Sequence, residues 1–226
     1  MKLKERWDSI ERNIASLQHQ SRKEDVVNSI IHGIGIGLSV AALVLLIVFG
    51  NIYGDIWHVV SFSVFGATLI FLYLSSTLFH GVKSLKAQEF FRKCDYIGIF
   101  LLIAGTYTPI MLVYLRGSWG WTLLGVVWFL ALVGIGLRIF FSSKVELVLA
   151  ILYVLMGWII MVAVKPALVL IPSGVLIWLL VGGASYMIGL IFLSWKKLPF
   201  HHALWHLFVL GGSTAHFFGL FFYIGK

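Results

Sequence analysis

Charge is scarce in this chain and cysteine almost absent. Only 12% of its 226 residues are charged, about half the share of an ordinary soluble domain. The single cysteine, Cys94, excludes an intramolecular disulfide. Polar–apolar alternation is missing from the apolar runs, which argues against a membrane β-barrel. A secretory signal is not expected either, because the first 25 residues are charged and the first apolar run is too long for a signal h-region. What remains is apolar surface. Hydrophobic residues make up 60% of the chain, more than a soluble core can bury, so lipid must take much of it.

Seven apolar runs follow one another, at about 28–49, 58–80, 94–115, 119–140, 145–164, 173–194 and 202–224. Each is near the roughly 20 residues that cross a bilayer core as a helix. The expected fold is an all-α integral membrane protein, a seven-transmembrane helix bundle formed by residues 25–226, with residues 1–24 as a separate arm. The net charge of +8 sits between the runs, so it points to membrane topology and not to nucleic acid. Lys and Arg number 14 in the N-terminal segment and even-numbered loops, counting Arg138 and Lys144 in loop four. The other side has three, Arg116, Lys165 and Lys226. The positive-inside rule then places the N-terminus in the cytoplasm and the C-terminus outside, in the cell's inner (plasma) membrane. This is the reverse of the G-protein-coupled receptor orientation.

The arm repeats Leu3, Trp7, Ile10, Ile14 and Leu17 at helical spacing, with basic residues between them. An amphipathic helix lying on anionic inner-leaflet headgroups is expected. Ser21 and Glu24 have capping-box spacing for the start of span one. Gly33 and Gly37 have the small-xxx-small spacing of close helix packing. Pro109 is expected to kink or break span three.

Ionisable groups inside spans are costly and are candidates for function. Topology brings several to one layer. His80 ends span two on the cytoplasmic side, Asp95 begins span three, and His202 and His206 lie in the first turns of span seven. Asn28 and His32 enter at the same level from span one. His202 and His206, four apart, present two imidazoles on one helix face, and His80 offers a third nitrogen from another helix. Three protein ligands with an open fourth position is the pattern of catalytic zinc, where a water's pKa falls to around 7. Ser76 lies one turn before His80, and Asp95 is placed to orient a histidine or to act as general base and acid. His216 is about 21 Å further along span seven than His202 and suits interhelical hydrogen bonding better than ligation.

These residues resemble the hemolysin III family, the bacterial branch of the progestin and adipoQ receptor (PAQR) superfamily. The resemblance rests on four segments in order: Glu24 to Gly33 (EDVVNSIIHG), Ser75 to His80 (SSTLFH), Cys94 to Ile99 (CDYIGI) with Ala104 to Pro109 (AGTYTP), and His202 to His206 (HALWH) with His216 beyond. It implies a seven-helix fold with zinc held by His80, His202 and His206, and with Ser76 and Asp95 beside the metal. The wider superfamily includes alkaline ceramidases, which hydrolyse a lipid amide.

Three functions compete. The first is a zinc-dependent hydrolase of a lipid amide or ester at the cytoplasmic side. The second is a non-enzymatic membrane-homeostasis or receptor-like protein with structural zinc. The third, a pore-forming cytolysin, has least support from so apolar a chain. Membrane lipids are the expected partners, and nucleic acid is not.

Overall fold

A computed structural model describes the backbone of residues 2–141 and 145–225, and side chains from Arg22 onward. All secondary structure among the described residues is helical. The elements are α1 (Lys2–Tyr53), α2 (Ile56–Gly81), α3 (Leu85–Pro109), α4 (Ser118–Phe141), α5 (Glu146–Gly157), α6 (Val164–Leu170), α7 (Ser173–Ser194) and α8 (His201–Phe221). A π-helical turn (Ile110–Tyr114) extends α3, and a 3₁₀ turn (Ile159–Ala163) joins α5 to α6. Seven helical segments are long and apolar enough to cross a membrane, with α5, the 3₁₀ turn and α6 together making the fifth. Lipid leaves the backbone no water to bond, so continuous helix is the natural state of such runs.

Neighbours in sequence are largely neighbours in space. Helix α2 packs between α1 and α3, and α8 packs between α7 and α1. The chain therefore curls so that α8 returns to α1. Phe62, Phe65, Phe100 and Met111 are enclosed at the centre. Outward faces carry exposed Ile, Val, Leu and Phe, as lipid contact requires.

Several local expectations change. Helix α1 runs unbroken through positions 21–24, so no helix starts at Ser21. That side chain and the apolar stripe of the arm lie outside the described side chains. Gly33 and Gly37 have open space where a Cβ would stand, and it is Gly35 that lies against the Tyr73 ring. The reason is register: the buried face of α1 runs through Asn28, His32, Gly35, Ser39, Ala42 and Leu46. Arg138 is no loop residue. It sits in the last turn of α4, 3% exposed, with its guanidinium 3.7 Å over the Tyr96 ring.

The breaks have identifiable partners. Pro109 lacks an N–H for its helix, and the backbone turns π-helical beyond it. In the fifth span, Pro166 falls in the first turn of α6, after the 3₁₀ turn. Tyr107 of α3 mends this break, its hydroxyl donating to the Gly157 carbonyl (2.8 Å) and accepting from the Ile160 amide (3.2 Å). At the end of the bundle away from His80, Asp55 caps α2 by accepting from the Trp57 and His58 amides.

Candidate metal centre

One end of the bundle collects His32, His80, His202 and His206. His80 comes from the last turn of α2, and His202 and His206 from the first turns of α8. One ring nitrogen from each lies within 4.8 Å of the others. His206 and His202 stack with centroids 4.5 Å apart, as residues one turn apart can. The Nε2 atoms of His80 and His206 stand 3.2 Å apart. His80 and His206 are buried, and His202 is half-buried. This cluster can hold a metal ion.

Helix α1 orients it. The His80 Nδ1 donates to Asp25 Oδ1 at 2.9 Å, which leaves Nε2 as the lone-pair nitrogen turned to the cluster. Glu24 Oε1 accepts the His202 amide at 3.0 Å. That bond answers a local need. The residue before α8, Phe200, has φ 57° in the left-handed region, and it makes no side-chain cap for α8. A carboxylate from α1 serves instead, where the helix dipole favours negative charge. Glu24 and Asp25 are the site residues that sequence reasoning missed. Their position in the resembling segment was visible, but charged residues at the start of a span also read as topological flank.

The other candidates fall around the triad. Ser76 is fully buried one turn from His80. Asp95 enters from α3, half-buried, near the Ser76 hydroxyl and the Arg138 guanidinium. Neither belongs to the cluster of ligand atoms. His32 lies edge-on to His206, with centroids 3.9 Å apart. His216 lies further along α8, ten residues beyond His206, and packs on the Tyr186 ring, in a notch left open by Gly182. Between these levels Tyr73 donates to Ser213 Oγ at 2.8 Å, and Tyr186 meets the same oxygen at 3.1 Å. A buried polar link thus ties α2, α7 and α8 together beyond the triad. Cys94 is free, half-buried and outside the cluster.

A family model described as haemolysin-III related matches residues 20–217. The chain is 48% identical over 204 residues to the Hemolysin-3 homolog of Bacillus subtilis (strain 168), covering 90% of this chain and 96% of that protein. It is 46% identical over 202 residues to Hemolysin-3 of Bacillus cereus, covering 89% and 92%. It is 28% identical over 196 residues to the human monocyte to macrophage differentiation factor, covering 83% and 80%. No solved structure matches. The family match reaches all seven spans and includes all three clustered histidines, and the chain belongs to the haemolysin-III family.

Proposed function

We propose that the chain is a zinc-dependent hydrolase of a lipid amide or ester, working at the cytoplasmic side of the cell's inner (plasma) membrane. The observation that carries this reading is the triad of imidazoles with its carboxylate support. Two nitrogens on one tetrahedral zinc, each about 2.0–2.1 Å away, stand about 3.3 Å apart. The 3.2 Å between the Nε2 atoms of His80 and His206 matches that edge. A carboxylate behind a ligating histidine is a frequent companion of zinc, and Asp25 takes that place. When bound, zinc supplies Lewis acidity and lowers the pKa of a water in the fourth position.

The protein's own groups do the rest. Asp25 fixes the His80 ring and Glu24 the first turn of α8. The Asp95 carboxylate takes a proton from the attacking water and returns it to the leaving nitrogen or oxygen. Ser76 offers a hydroxyl beside Asp95 to hold the substrate's polar group. Basic residues flanking the spans support a cytoplasmic N-terminus, and residues 1–24 are assigned to anionic headgroups of the inner leaflet. Residues 25–226 form the functional unit, and Glu24 at the end of the arm joins it through the His202 amide.

One observation favours structural zinc as a second reading: the triad and its two carboxylate contacts join α1, α2 and α8. The names of the bacterial relatives speak of haemolysis, but seven apolar spans suit a resident membrane protein better than a secreted pore. Zinc content of purified wild type beside His202→Ala tests the site, with loss in the variant expected. Equal zinc in both would sink it. A zinc-loaded wild type that cleaves nothing across a broad panel of lipid amides and esters leaves only the structural reading.

A further inference from the structure

On α1, one turn apart, Asn28 and His32 are each 1% exposed. The Asn28 Oδ1 atom and both ring nitrogens of His32 have no hydrogen-bond partner. Both residues lie on the buried stripe of α1, and side chains four apart on a helix stand about 6 Å apart at Cβ. His32 touches the triad directly through His206, and its other edge meets the Tyr73 ring with centroids 5.0 Å apart. Tyr73 meets it only as a ring edge, and the Tyr73 hydroxyl is directed to Ser213. The nearby acids are engaged as well, Asp25 on His80 and Glu24 on His202. Three unmet hydrogen-bonding atoms therefore share the α1 side of the triad. Buried polar atoms are rarely left so unless water or a ligand meets them.

The chemistry of the missing partner follows from the donors and acceptors. Asn28 Oδ1 requires a donor. A neutral imidazole presents one donor and one acceptor. Neither Asn28 nor a neutral His32 carries a formal charge to hold an ionic head. Two neighbouring hydroxyls, which together donate two protons and accept one, meet all three atoms. We propose that Asn28 and His32 form a subsite for the uncharged, hydroxyl-bearing head of a lipid bound beside the metal centre. This rests on the reading that a lipid is the substrate at the triad, and it commits that lipid to a neutral head with two hydroxyls.

The test reads binding without turnover. The full chain, zinc-loaded in detergent micelles, is titrated with 1-O-oleylglycerol, a non-hydrolysable ether with two hydroxyls. A parallel titration uses oleyl methyl ether, which has the same chain and no donor. The thermal unfolding midpoint reports occupancy. Half-saturation of the wild type by the glycerol ether is expected at a mole fraction roughly tenfold or more below that for the methyl ether. In Asn28→Leu and His32→Phe the two probes become equal and zinc content stays at the wild-type level. The midpoint without probe holds or rises by about 2–4 °C, because an apolar side chain removes an unmet hydrogen-bonding demand. Equal response of the wild type to both probes overturns the subsite, and so does retained discrimination in either folded variant. The wild-type comparison decides alone where a variant does not fold. Discrimination without hydrolysis of any lipid refutes the hydrolase reading and keeps the subsite. Hydrolysis without discrimination does the reverse.

Discussion

Replacing Asp25 tests whether α1 belongs to the metal centre. Its Oδ1 takes the proton-bearing Nδ1 of His80 at 2.9 Å, while the His80 ring is only 2% exposed. This is the one hydrogen bond at that nitrogen among the described residues, so it sets which edge of the ring faces the cluster. Removing a carboxylate that orients a metal-binding histidine costs about 10–100-fold in metal affinity, or about 1.4–2.7 kcal/mol. Asp25 is 41% exposed, and water screens part of its charge, so the lower half of that range applies. Asp25→Asn keeps an oxygen that accepts from Nδ1, and a loss of roughly tenfold is expected. Asp25→Ala keeps none, and roughly 30-fold is expected. The measurement is a zinc competition titration against a chelator of known affinity, at fixed pH, on purified protein whose unfolding midpoint is recorded in parallel. Asp55→Asn, at the opposite end of the bundle, serves as the control and leaves zinc affinity unchanged. A folded Asp25→Ala that binds zinc within twofold of wild type would refute the reasoning, because His80 would then need no orienting partner.

Two further outcomes follow from the same geometry. Gly35→Ala places a Cβ 2.6 Å from the Tyr73 ring, which is buried and tied to Ser213, so α1 must shift at a cost of about 1–3 kcal/mol. Gly33→Ala meets nothing within 4 Å and gains about 0.5–1 kcal/mol; thermal unfolding that shifts equally in both variants contradicts the register described. Asp55 gives a pH dependence. Slight burial pushes its carboxyl up, but hydrogen bonds from the His58 ring and amide and from Arg116 outweigh this and hold it below the usual carboxylate value. A carboxyl lowered by folding stabilises above its unfolded pKa, about 3.9, and loses that contribution as pH falls through the folded value. Acid unfolding of Asp55→Ala is therefore expected to start from a stability lower by about 0.5–2 kcal/mol at neutral pH. It then falls less steeply below about pH 4, and parallel acid limbs in variant and wild type would rule this out.

Hydropathy located the spans because lipid forces backbone groups to bond within the helix. The sixth run, 173–194, coincides with α7 (Ser173–Ser194). Hydropathy marks where lipid begins, however, and not where a helix begins. Helix α3 accordingly starts at Leu85, although its apolar run begins near 94. The fifth span outruns its expected end at 164 and continues to Leu170. Its broken turn is carried by Tyr107, a residue 50 positions away from the carbonyl it serves. No local pattern encodes such a partner. The glycines teach the same lesson: spacing singled out Gly33 and Gly37, but which face of α1 turns toward α2 is decided by packing, and it selects Gly35.

The site divides along a similar line. Three histidines inside apolar runs are conspicuous, since each costs free energy in lipid unless it is used. Span ends and helical spacing were enough to bring them together. Glu24 and Asp25 carried no such signal, because charge is cheap at a span boundary. Their role appears only when α8 returns to α1 and arrives with Phe200 in a left-handed turn and no capping side chain of its own. The first turn of α8 carries His202, and Glu24 of α1 supplies its cap. The next residue, Asp25, holds the ring of His80. Two consecutive carboxylates near the start of the chain thus set the two helices that carry the triad, and residues 178 and 55 positions apart in sequence become one site. The metal centre is therefore a property of closing the bundle: a change that loosens α1 from α8 should lower metal affinity even when all three histidines are intact.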